Sequence, residues 1–440
     1  MRKRILYMLF LGVLVIGLVG CGNNAEEEKS SSKSKESVKE QEDENVTFLD
    51  YDRAAEFNDG VAVVSKTENF ESTYYVIDED FNVLFSYKGN QEFVGGYIKI
   101  PAKDDEKQIN ILNKNGEVIY SYDDKEYKKK VELVSNGLLV ITEQTDTYNS
   151  SKTVTGIYDL ESKKYVLEPD EKYKDKIRQY GDFMLTLNSD YTEFFNTRTK
   201  KVVKFTEAVQ REFVDGYSLE EDYRDNEIYV LVYDDSGNKK EIKTFYKSVG
   251  SIKNHSNGML FDAEMRIVME NYNEKITGEN VQLFDLKNGT VKDLSKLFIF
   301  VEKPKFNKDG NALVRFSNQG GETYYTVIDK NGEMLFEPVK RNNEASFGAE
   351  SNEVPLIVKE DTLYDGGYFI AEEDSLSKVI DKNNKVVVTS DDEDETFESI
   401  TNNSIIVKLK KPGSKEISYY KDLEGNKINL KIHGDLKEYN

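Results

Sequence analysis

VIDKNGEMLFEP, residues 327–338, sets two apolar runs on either side of a polar bend that gathers Asp329, Asn331, Gly332 and Glu333. Oxygen-bearing side chains on a short loop suit calcium, which takes about 6–8 oxygen ligands. They suit a tight hairpin equally well, because Asp bonds its own backbone two residues on and Gly supplies the left-handed position. The rest of the chain decides between the two. TYYTVIDKNGEMLFEP follows FNKDGNALVRFSN at Phe306, and far upstream STYYVIDEDFNVLFSY follows FNDGVAVVSK at Phe57. These are two copies of one pattern: an aromatic residue, a turn with Gly, a short apolar strand, a polar excursion, a V-I-D strand, a turn and another apolar strand.

Fainter copies fill the chain between and after. Taking the residue in the Asp329 position as the marker gives Asp78, Asn113, Asp159, Asn196, Asp234, Asp285, Asp329, Asp381 and Asp422, spaced from 35 residues (Asp78 to Asn113) to 52 (Asp329 to Asp381). Segments such as YYVID, VLFSY, GVAVV and GLLVI are short, β-branched or aromatic, and bounded by Gly and Asn, so each unit reads as strands. The turns DEDFN, NKNGE, DKNGE, DKNNK and DLEGN all but once place Gly or Asn fourth. None completes the D-x-D-x-D-G spacing with a distal Glu, so they read as hairpin punctuation and not as calcium loops. Helical periodicity is scarce; TEAVQREF (206–213) and EKYKDKIRQY (171–180) are expected to form one short helix each.

The pairing of F-x-x-G-x-A-x-V with Y-x-I-D resembles the bacterial WG repeat. Phe57, Gly60, Ala62 and Val64 match its first half, and Tyr75, Ile77 and Asp78 its second. Phe306, Gly310, Ala312, Val314, Ile328, Asp329 and Gly332 match again, although the chain holds no Trp at all. The resemblance implies all-β, propeller-like repeats on exported or cell-surface proteins with binding or interaction roles. Units of three or four strands suit the blades of a β-propeller. Nine marks exceed the ~4–8 blades of common rings, so either a terminal pair is expected to share one blade or some marks are expected to be internal to a longer blade. An open β-solenoid, or two smaller propellers in tandem, is the alternative.

The N-terminus has its own plan. Arg2, Lys3 and Arg4 precede an apolar run from Ile5 to Gly20, and Cys21, the chain's single cysteine, follows it. That is the layout of a secretory signal, and sixteen apolar residues fall short of the ~20 that cross a bilayer. Leu18, Val19, Gly20 and Cys21 further resemble the lipobox of bacterial lipoproteins, which implies cleavage before Cys21 and acylation of its sulfur. Residues 1–20 are accordingly read as a lipoprotein signal peptide, 21–46 as a lipidated, serine-rich, charged flexible linker, and 47–440 as the β-repeat domain. Export to the extracytoplasmic face of the cell membrane, held there by the lipid on Cys21, follows as the expectation.

Composition narrows the partners. A formal net charge of -22 is wrong for a phosphate backbone, so nucleic acid is excluded as a partner. One cysteine and two distant histidines, His255 and His433, leave nothing for a zinc site. No nucleophile elbow or phosphate loop is present, and no catalytic, metal or cofactor-binding residue is nominated. SDDEDE (390–395) reads as a solvated acidic loop. The expected function is a lipid-anchored binding module for a protein or cell-envelope polymer. An envelope-polymer hydrolase using paired carboxylates in a central funnel is the alternative. An importer receptor fits less well, because those proteins alternate strands with long helices. Any site should lie where the units differ, first in 341–361 and 263–279.

Overall fold

The computed structural model describes residues 46–439 except 90, 92, 103–104, 124–128, 146–151, 247–248, 250–251, 253–254, 271–272, 299, 302–303, 318–321, 342–356 and 359–362. The signal segment, Cys21 and the linker up to residue 45 lie outside the described residues.

Each marker residue closes the third strand of its own blade, the single-residue bridges of Asn58 to Val61 and of Val214 to Tyr217 standing in for the first strand at Asp78 and Asp234. Nine antiparallel sheets follow one another, built from residues 61–88, 93–123, 129–170, 178–204, 217–243, 255–293, 300–341, 357–389 and 395–422. They are blades 1–9 of a β-propeller. The expectation that a terminal pair shares a blade, or that some marks are internal to a longer one, is therefore corrected. Each unit carries its own pair of hairpins and needs a neighbour on both faces, so no unit can be absorbed into the next.

Burial on both faces explains the apolar runs. In blade 1, Val61, Val76 and Phe85 pack on Ile98 and Leu112 of blade 2. Ala62, Val64 and Ile77, one step along the same strands, face the other way. The pattern continues round the molecule. Ile111 meets Leu139 and Ile141 between blades 2 and 3, Ile157 meets Phe195 between 3 and 4, and Phe194 meets Tyr233 between 4 and 5. Val230 meets Phe284, Phe261 meets Val314, and Tyr325 meets Phe369 across the next three seams. One last cluster joins Ile370 and Val379 of blade 8, Ile405 and Val407 of blade 9, and the inward face of blade 1. The ring is single and closed, and the solenoid and tandem alternatives fall away.

The two ends of the repeat region lock the seam between blades 9 and 1. Val46–Leu49 pairs antiparallel with Leu430–His433, and Lys437–Tyr439 pairs parallel with Phe85–Tyr87 on the outer strand of blade 1. Leu430 is fully buried there.

Two local expectations fail. Residues 206–213 form no helix, because the backbone is drawn in by Val209 and Phe213, both buried between blades 4 and 5. Within 171–180 only Glu171–Tyr173 makes a single 3-10 turn, capped by the Asp170 carboxylate. Segments this short gain too little from helix propensity to resist tertiary burial. Among the described residues no helix is long and apolar enough to cross a membrane.

Candidate functional site

Antiparallel order places the first–second and third–fourth strand turns of every blade on one face, here the turn face. The marker residues sit in its third–fourth turns. Asp329 Oδ1 accepts the N–H groups of Asn331 and Glu333, both at 2.9 Å. Asp78 does the same for Asp80 and Asn82 at 3.0 and 2.8 Å, and Asp422 for Glu424 and Asn426 at 3.0 and 2.7 Å. The Asp422 carboxyl, pushed up by partial burial, is drawn below its ordinary value by the Asn426 amide and these N–H groups. Carboxylates so engaged hold a turn. Among the described residues no group of three or more His, Cys, Asp or Glu is arranged to hold a metal ion.

Three marker turns lack the fourth-place Gly or Asn: those of Asp159 and Asn196 place the left-handed residue fifth, at Lys163 and Lys200, and the Asp78 turn places it at Phe81. Phe81 adopts a left-handed backbone with φ 63° in DEDFN. Its ring stands edge-on to Phe57 and Tyr420 at 5.5 and 5.3 Å, wedged into the seam of blades 9 and 1.

The first–second turns are built from Asn, Asp and Gly at positive φ, as in Asp59–Gly60, Asn136–Gly137, Asp215–Gly216, Asn257–Gly258 and Asn402–Asn403. Paired left-handed residues match the twist of a two-residue hairpin. The turns also grip one another. Asp182 Oδ2 accepts the N–H of Asp215 at 2.7 Å, Asp215 Oδ2 that of Asn257 at 2.8 Å, and Asp309 Oδ2 that of Gly366 at 3.0 Å. Asn307 and Asn402 donate side-chain N–H groups to the carbonyls of Tyr364 and Glu79 at 2.9 and 2.7 Å. At Gly181 the approach is closest: φ is 97°, and a Cβ there would collide with the Phe213 backbone.

Where blades 7, 8, 9 and 1 meet on this face, a cavity of about 740 Å³ opens among the turns. Glu56, Asn58, Asp59, Glu79 and Asn403 line it, beside a Lys308–Asp365 ion pair at 3.0 Å. The sequence marked these residues only as turn formers. Their convergence depends on the ring, which brings residue 58 beside residue 403.

The remaining candidates are committed to structure. His255 is buried, with Nε2 3.1 Å from the carbonyls of both Val214 and Tyr217 and Nδ1 3.3 Å from that of Ile252, tying blade 6 to the turn of blade 5. His433 Nε2 lies 3.0 Å from Asn82 Oδ1. SDDEDE is not wholly solvated: Glu395 is 5% exposed and pairs with Lys421, itself 3% exposed, at 2.7 Å. Asp391 meets the same ammonium at 2.8 Å, and the Tyr419 hydroxyl donates to Glu395. The irregular stretch 341–361 falls almost entirely outside the described residues, as do the side chains of most of 263–279.

No known protein family and no curated protein matches the chain. Among solved structures it is similar to a eukaryotic initiation factor, with 11% identity, 87% of this chain and 88% of that one covered, and a TM-score of 0.31. A WD40 domain of coronin from Toxoplasma gondii matches with 8% identity over 85% and 84% of the two chains and a TM-score of 0.22. TolB from Acinetobacter baumannii matches with 12% identity over 70% and 80% and a TM-score of 0.23.

Proposed function

We propose that this chain is an exported lipoprotein, tethered through Cys21 to the extracytoplasmic face of the cell membrane, whose propeller binds a protein or cell-envelope polymer through its turn face. The observation that carries the binding reading is the cavity at the seam of blades 9 and 1. The side chains of Glu56, Asn58, Asp59 and Glu79 line it, and among the described residues none of them takes part in the turn-to-turn hydrogen bonds that organise the rest of that face. Polar side chains converging on a concavity without a structural task are what a recognition site needs. The reading is non-catalytic: His255 is spent on three backbone carbonyls. The anchor rests on the lipobox-like Leu18–Cys21, and the resemblance to WG repeats agrees with an exported binding module.

Two experiments test it. Cross-linking of the 45–440 body to a cell-envelope fraction, with wild type beside Glu56→Lys/Glu79→Lys, is expected to give one adduct that the variant loses at an unchanged melting midpoint. An adduct retained by the variant overturns the turn-face assignment. Metabolic labelling with a fatty acid is expected to mark wild type and not Cys21→Ala; equal labelling of both refutes the anchor.

A further inference from the structure

The inner edge of blade 1 is a broken ladder. Residues 53–58 run along Val61–Glu68 in place of a first strand, but they meet it only at their two ends. Arg53 exchanges backbone hydrogen bonds with Ser65, and Asn58 with Val61. Val63 lies midway on the same edge, where strand alternation turns its N–H and C=O the same way as those of Val61 and Ser65. Among the described residues nothing takes either group, because the segment opposite is bonded elsewhere. Ala54 donates its N–H to Ser418 Oγ at 2.9 Å, Ala55 to the Tyr420 hydroxyl at 3.2 Å and Phe57 to Thr401 Oγ1 at 2.9 Å, all in blade 9. Residues 54–57 are thereby drawn off the strand.

A cavity of about 770 Å³ occupies the gap and reaches over the face of blade 1 that looks toward blade 2. It shares Glu56 and Asn58 with the turn-face cavity and nothing else. Val63, Ser65, Tyr74 and Phe93 line it. Ser65 is 7% exposed, and among the described residues its hydroxyl has no hydrogen-bond partner. Buried polar groups are nearly always paired, so an N–H, a C=O and a hydroxyl left open toward one cavity mark a place for a ligand. Tyr74 stands directly across the ladder from Ser65. Its ring is stacked on Tyr87 at 5.4 Å, and Tyr87 is itself buried, with its hydroxyl donating to the Gln91 carbonyl at 2.9 Å. Tyr74 is thus a plate held in place. The charges on the wall cancel: Arg53 faces the cavity with Glu56, and Lys415 is held by Asp52 at 2.9 Å.

These features select a neutral, polyhydroxylated ring. Hydroxyls on neighbouring carbons each donate and accept, so a vicinal pair answers the N–H and the C=O of one extended residue together. An extended peptide residue offers the same two groups, but Arg53 and Asn58 close the gap at both ends and leave a strand no path. The C–H face of a pyranose packs on the negative face of an aromatic ring. We propose that the cavity between residues 53–58 and blade 1 is a glycan-binding site. Vicinal hydroxyls of a pyranose complete the ladder at Val63, a further hydroxyl meets Ser65, and the C–H face of the ring lies on Tyr74. This site does not depend on lipid attachment or on recognition at the turn face.

Isothermal titration of the 45–440 body, which forms one compact unit, with cellotetraose tests the site, since the rings of that sugar carry both a vicinal pair and a C–H face. Binding is expected at about 0.1–1 mM, because few polar contacts and one aromatic plate supply it. Ser65→Ala should weaken it about fivefold, the worth of one hydrogen bond, at an unchanged melting midpoint. Tyr74→Ala should weaken it about tenfold through loss of the plate. Val63→Pro, which removes the open N–H and no ladder bond, should weaken it about fivefold. No binding of cellotetraose up to about 10 mM overturns the proposal. So does an affinity unchanged in Ser65→Ala or in Tyr74→Ala, or tetra-alanine binding in place of the sugar. None of these variants alters Glu56 or Glu79, so loss of sugar binding and loss of the turn-face adduct are read separately.

Discussion

Replacing Lys421 with methionine keeps the four-atom stem in its slot and deletes the charge at its end. Lys421 Nζ lies 2.7 Å from Glu395 Oε2, and both residues are almost wholly buried. Asp391, the other partner, is largely exposed and contributes little. Removing one member of a buried pair strands the other, at about 3–5 kcal/mol. Glu395 keeps the Tyr419 hydroxyl and the Asp391 N–H at 2.9 Å. These donors place the expected loss at the lower end, about 3 kcal/mol. The double variant Lys421→Met/Glu395→Gln leaves no stranded charge and should lie within about 1 kcal/mol of wild type, about 2 kcal/mol more stable than Lys421→Met alone. Urea unfolding of the 45–440 body at several pH values measures both. Burial pushes the Glu395 carboxyl up, but Lys421, Tyr419 and the Asp391 N–H outweigh it and hold the group below its ordinary 4.5. A depressed carboxyl stabilises above its unfolded value and loses that contribution as pH falls through the folded one. In Lys421→Met the carboxylate is uncompensated and protonation relieves it, so the gap to wild type should narrow between pH 7 and pH 4. A gap under about 1 kcal/mol at pH 7, or one that does not narrow with acid, refutes the reasoning.

Further outcomes concern the turns. Phe70 and Phe81 share a left-handed backbone, with φ of 69° and 63°, but Phe70 is fully exposed at a hairpin tip. Phe70→Gly should therefore raise stability by about 1 kcal/mol by relieving the backbone, while Phe81→Gly should lower it by about 2 kcal/mol through loss of its two ring contacts; melting curves of the pair decide. Gly181→Ala combines a forbidden φ with a collision against Phe213 and should cost about 3 kcal/mol, whereas the same change at Gly413, where a Cβ would meet nothing within 4 Å, should cost about 1 kcal/mol from φ alone. Denaturant midpoints of the two variants check the difference.

What could be read beforehand followed the range of the physics. Asp329 and its eight counterparts were legible as turn punctuation because an Asx turn involves only residues two and four places on. Strands were legible from their β-branched and aromatic runs. The number of blades was not, since a ring of nine departs from the common range and nothing local reports closure. Lys421 in SYYKD looked like an ordinary polar strand residue, and Glu395 like part of a solvated run; their burial depends on how strands 26 residues apart lie within blade 9. Phe81 appeared only as an exception to the turn rule, and the ring contacts that explain it come from residues 57 and 420. The cavity is the extreme case, because Asn58 and Asn403 are neighbours only in a finished ring.

That seam also sets an order of events. Blades 2–8 are each complete from contiguous sequence and can pair as the chain emerges. The first blade has to wait, because Ala55 donates its N–H to the Tyr420 hydroxyl 365 residues away, and Lys437–Tyr439 covers the outer edge of blade 1. Contacts of such separation form slowly. Until residue 439 is available, the earliest-made sheet presents a bare edge and an uncovered face, so closure is the last event of folding and the step at which an interrupted chain is exposed to aggregation.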